Sequence, residues 1–137
     1  MADTATPKTQ RNSSFWIAKP TGGVGLEVGT TNVELFGVKT PGAGYRCGAD
    51  SDADCKLAAQ HALEKQIGST GKVSCHVPNA KPGLAIAFAI CLDGSGVDLA
   101  GFLIGAGLAV ADTGQSYDYV GAESIARNLK RGLWQSK

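Results

Sequence analysis

Four cysteines, at positions 47, 55, 75 and 91, restrict what this 137-residue chain can fold into more than any other feature. An even count in a small chain points to two disulfides and an oxidising compartment, periplasmic or extracellular. Zinc is the competing use, but no C-x-x-C pair occurs, and His61 and His76 stand at no familiar ligand spacing. Four free thiols in a reduced protein are the third possibility. Of the three pairings that four cysteines allow, spacing favours one. Cys75 and Cys91 lie equidistant from Gly83, which follows Pro82 in a turn-forming run, so a hairpin centred there sets the two cysteines directly opposite. Opposed residues of an antiparallel pair hold their Cβ atoms about 4.5–5.5 Å apart, near what a disulfide needs. Cys47 and Cys55 then pair by default, pinning a glycine-rich loop to the start of a helix.

The rest of the chain reads as alternating short elements. Residues 14–19 predict a first strand followed by a Pro-Thr-Gly-Gly turn, and 25–28 with 32–38 predict a hairpin. A helix is expected over about 53–67, with Leu57, His61 or Ala62, and Glu64 or Lys65 on successive turns and Gly68 as its stop. Strands follow over 72–77 and 84–92, then helices over 97–106 and 117–130, with Glu123 and Arg127 spaced as a surface pair. Five strands with a helix between the third and fourth, then two C-terminal helices, is the chain order of an OB-fold barrel of the α+β class. Residues 1–13 are polar, lack the apolar run of a signal peptide, and read as a flexible tail before one domain spanning 14–137. The most apolar stretch, 99–111, holds three glycines and is too short to span a bilayer.

Several runs bear a family likeness. Asp98-Leu99-Ala100, Leu103-Ile104, Gly107-Leu108-Ala109, Tyr117, Tyr119, Ala122-Glu123, Ala126-Arg127 and Arg131-Gly132-Leu133-Trp134 occur in that order. Together with Val33-Glu34-Leu35-Phe36-Gly37-Val38-Lys39-Thr40-Pro41, they resemble the staphylococcal-nuclease-like (thermonuclease) family over residues 14–135. Cys47, Cys75 and Cys91 resemble the cysteine-bearing, exported branch of that family. The resemblance implies two helices packed on an OB barrel. It also implies a calcium ion held by two aspartates, a glutamate as general base and two arginines on the phosphate.

Carried over position by position, that set is largely absent. The first-turn aspartates fall on Gly22 and Val24, and the aspartate before Thr40-Pro41 falls on Lys39. The glutamate falls on Gly42, the third-strand arginine on Glu34 and the fifth-strand arginine on or near Ala85, so Thr40 alone survives. A slipped alignment does not restore it. No aspartate occurs between Asp3 and Asp50, no arginine between Arg11 and Arg46, and no Lys or Arg from Pro82 to Ala126. Calcium needs several anionic oxygens, and phosphodiester hydrolysis without metal or cationic clamp loses most of its transition-state stabilisation.

The expectation is a non-catalytic nuclease-like OB module outside the cytoplasm, with no cofactor or metal. Its partner would be a protein or an oligosaccharide. The alternatives are a metal-dependent endonuclease with an atypical site, or a structural subunit of a larger assembly. A net charge of +1, from 13 basic and 12 acidic residues, predicts weak nucleic-acid binding at most. Lys39 reads either as a solvated loop lysine or as an anion-binding residue standing where the metal was. His61 and His76 read as surface or packing residues. Arg127, Lys130 and Arg131 complement the end of the last helix, and Trp134 anchors it. Tyr117 and Tyr119 are either ligand-facing or packed in the core.

Overall fold

Ala18 and Pro20, Leu26 and Val28, and Val33 and Leu35 are buried between more exposed neighbours, the period-two pattern of strands with one face on a core. The computed structural model describes residues 15–42, 45–47, 54–78 and 87–135. Those strands are β1 (Trp16–Gly22), β2 (Gly25–Val28) and β3 (Thr31–Leu35). They continue through β4 (Val38–Lys39), α1 (Cys55–Ile67), β5 (Lys72–His76), β6 (Ala87–Asp93), α2 (Leu99–Gly105), β7 (Val110–Ala111) and α3 (Val120–Asn128), ending in a 3-10 turn over Gly132–Trp134. Five strands close a barrel in the order β1-β2-β3-β6-β5. All its pairings are antiparallel except β3 with β6, where Leu35 lies opposite Ala89. This is the expected five-stranded OB architecture, with α1 between the third and fourth barrel strands and two helices after the fifth.

The hairpin register is the one the cysteine spacing predicts. Cys75 lies opposite Cys91 across β5 and β6, and their sulfurs are at disulfide distance, 2.07 Å. Cys47 and Cys55 make the second pair at 2.08 Å. With all four sulfurs so engaged, none is left for zinc. Gly83 and the rest of that turn lie outside the described residues, as does the tail 1–13.

Several boundaries differ from expectation. β1 runs on through Pro20 to Gly22, with a bulge between those two residues. The strand expected over 32–38 breaks at Gly37, whose φ of +84° turns the chain. Tyr119 explains the glycine there, because its Cε2 would lie 2.8 Å from any Cβ. The separated β4 then pairs with β7, a two-residue strand the sequence did not announce.

Helix α1 also turns a different face inward. Its buried residues are Cys55, Ala59, Leu63 and Ile67, four residues apart, while Leu57 is 46% exposed and His61 is exposed. The Asp54 carboxylate accepts from the Leu57 N–H at 3.1 Å to start the helix, and Gly68, at φ +78°, ends it.

Leu99, Ala100, Leu103 and Ile104 of α2 are fully buried in the main core. α3 is shorter than expected and stops at Asn128, so Trp134 sits on the separate 3-10 turn. There it packs with Cys47, Cys55, Leu133 and Leu108 in a second, smaller core. The Gly107-Leu108-Ala109 and Arg131-Gly132-Leu133-Trp134 motifs are two sides of one contact. The Leu133 N–H donates to the Gly107 carbonyl at 2.8 Å, both glycines have positive φ, and a Cβ on either would overlap backbone of the other segment.

Candidate functional site

The tight β1–β2 turn is a seat for two side chains from elsewhere. A Cβ on Gly23 would overlap the Thr40 hydroxyl, and one on Gly22 would lie 2.8 Å from Cε and 3.3 Å from Cγ of Lys56. Thr40 is fixed there because its Oγ1 accepts from the Val24 N–H at 3.1 Å. The Lys56 backbone is held because α1 is tied to the turn, the Gly23 N–H donating to the Lys56 carbonyl at 2.9 Å, while its side chain is exposed. Both glycines adopt positive φ, +130° and +57°, so the turn needs glycine for its backbone as well as for its neighbours.

Thr40 and Lys56 line both lobes of an open groove. The larger lobe, about 390 Å³, is walled by Thr21, Gly22, Val24, Gly25 and Glu34 besides those two. The smaller, about 290 Å³, adds Pro41, Gly42, Tyr45, Arg46, Asp54 and Cys55. Of the positions singled out by sequence, Gly22, Val24, Glu34 and Thr40 therefore meet in one lobe, and Gly42 joins Thr40 in the other. Val24, 3% exposed, is a core residue. Lys39 is exposed on β4 and lines neither lobe. Ala85 lies outside the described residues.

Sequence reasoning missed Lys56, Arg46 and Asp54. All three come from the disulfide loop and the first turn of α1, where the family likeness supplies no site residue. Cys47–Cys55 ties these pieces together.

The other candidates lie outside the groove, some of them in structural contacts and others exposed. The Tyr119 hydroxyl donates to Asp98 Oδ2 at 2.6 Å, while Asp98 Oδ1 caps α2 at the Ala100 N–H. Burial, then the Asp98 carboxylate, pushes the phenol well above its ordinary range. Tyr117 is 77% exposed. Arg131 donates to the Gly105 carbonyl at 3.0 Å, so it serves the end of α2 rather than α3. Arg127 lies 3.9 Å from Glu123 and 4.4 Å from the centre of the Trp134 ring. His61 and His76 are both exposed. Among the described residues, no group of three or more His, Cys, Asp and Glu is arranged to hold a metal ion.

No protein-family model and no curated protein matches the chain. Among solved structures, it is similar to the extended Tudor domain of Drosophila melanogaster Tudor-SN (p100), at a TM-score of 0.58 and 21% identity. The match covers 76% of this chain and 47% of that one, so the chain spans about half its length. At that identity the likeness establishes the fold.

Proposed function

We propose that this chain is a non-catalytic, nuclease-like OB module that engages a protein or oligosaccharide partner through the groove between the β1–β2 turn and α1. One observation carries this reading: the Lys56 side chain lies beside position 22, its Cε 2.8 Å from where a Cβ there would stand. The group beside the first-turn position is therefore cationic, and it repels a divalent cation. Glu34, in the larger lobe, puts a negative charge where the nuclease likeness calls for an arginine. A phosphate there would be repelled rather than clamped. OB barrels lend the same curved surface to oligonucleotides, oligosaccharides and peptides, so binding survives the loss of chemistry. The two disulfides support a place in an oxidising compartment. No helix among the described residues is long and apolar enough to cross a membrane.

The test is digestion of single-stranded DNA and RNA by purified protein in calcium, with and without a chelator. No chelator-sensitive cleavage is expected. Calcium-dependent cleavage at a rate proportional to protein, lost on Lys56→Glu, would overturn the reading.

A further inference from the structure

We propose that the groove recognises a dipolar peptide segment, one in which an acidic and a basic side chain lie close together, and that Lys56 and Glu34 read the two charges. This rests on the non-catalytic reading of the same groove.

The observations are steric and electrostatic. Lys56 is exposed at the start of α1, its backbone carbonyl bonded to the turn and its side chain running beside Gly22. It lines both lobes. Glu34 stands between buried Val33 and Leu35 on β3, so its side chain points out of the barrel into the larger lobe. Its cross-strand partner in register is Gly25, which has no side chain to cover it. Gly25 cannot gain one cheaply, since a Cβ there would meet Thr21 Oγ1 at 2.6 Å. The smaller lobe adds Arg46 and also the Asp54 carboxylate, which keeps its charge while accepting from the Leu57 N–H.

Among the described residues the ion pair is Glu123 with Arg127, so Lys56, Arg46 and Glu34 are not neutralised by one another. The larger lobe thus holds Glu34 and Lys56 side by side, and the smaller holds Lys56 and Arg46 with Asp54. A polyanion gains at the cations and is repelled at the carboxylates, and an uncharged sugar meets neither. A segment carrying both signs satisfies the two together. Lobes of about 390 and 290 Å³ suit individual side chains rather than a folded surface.

The experiment is an amide chemical-shift titration of the intact chain, following Gly22, Gly25 and Lys56. The probes are capped five-residue peptides carrying a lysine and an aspartate, lysine alone, aspartate alone, or neither, with a single-stranded oligonucleotide as the competing class. The doubly charged peptide should bind about tenfold more tightly than either singly charged one. Lys56→Met should reduce it to the lysine-only peptide, and Glu34→Gln to the aspartate-only peptide. The variants' amide dispersion shows whether each is folded, and the charge-swapped double variant Glu34→Lys, Lys56→Glu gives a second route if one single variant is not. Equal binding of all four peptides, tightest binding of the oligonucleotide, or no shift at these amides at millimolar peptide would each overturn the inference. None of those outcomes restores calcium-dependent cleavage, so the non-catalytic reading stands or falls separately.

Discussion

Gly107→Ala tests whether the two C-terminal motifs are one structural contact. At φ +74°, alanine costs about 1 kcal/mol on backbone grounds alone. The added Cβ would also overlap the Arg131 carbonyl oxygen and lie 2.5 Å from its carbon. Both are main-chain atoms, so the clash is relieved by moving the segments apart rather than by turning a side chain. Separation breaks the 2.8 Å bond from the Leu133 N–H to the Gly107 carbonyl, worth about 1 kcal/mol. It also draws Leu133, 2% exposed, out of the smaller core, worth about 2 kcal/mol. The expected loss is about 4 kcal/mol, a large share of the 5–15 kcal/mol typical of a whole domain. Urea unfolding followed by tryptophan fluorescence and far-ultraviolet circular dichroism measures it. Gly105→Ala is the control: it is the last residue of α2, a Cβ there meets nothing within 4 Å, and the change should be neutral or slightly stabilising, by less than about 1 kcal/mol. A loss below about 1 kcal/mol for Gly107→Ala, or equal losses for the two variants, would refute the reasoning.

Three further perturbations follow from the same geometry. Asp93 is 5% exposed; burial alone would raise its carboxyl pKa, but bonds from the Val97 N–H, the Gln66 amide and the Ser95 N–H together hold it below the ordinary 3.8. A depressed folded-state pKa contributes stability that is present above 3.8 and lost as pH falls through the folded value. The urea-midpoint gap between wild type and Asp93→Asn should therefore narrow as pH drops below 4, and a constant gap would contradict it. Replacing Cys75 and Cys91 together by alanine opens a cross-link of sequence separation 16 and should cost roughly 3 kcal/mol by the chain-entropy account, read from urea midpoints under non-reducing conditions. Gly22→Asp should not create a calcium site, because the new carboxylate stands beside the cationic Lys56 side chain, which repels a divalent ion; calorimetry showing calcium bound by that variant would refute the electrostatic argument.

The barrel was legible in the sequence because its determinants are local or nearly so. Alternating burial marks the strands, Gly68 stops α1, and an antiparallel hairpin maps sequence distance directly onto register, which is why Cys75 and Cys91 meet. What folding alone decided is which distant segments touch. β4 and β7 are two residues each, too short to carry a pattern, and pair because the C-terminal segment returns past Gly37, where the Asp112 N–H donates to the Gly37 carbonyl. The buried stripe of α1 is Cys55, Ala59, Leu63 and Ile67, and a disulfide cysteine and an alanine in its first half leave it little apolar contrast to read in sequence. Lys56, in sequence, is a helix lysine like any other. It becomes the centre of the groove because the start of α1 is bonded across a glycine turn more than thirty residues away, a contact between elements that neither segment's own residues encode.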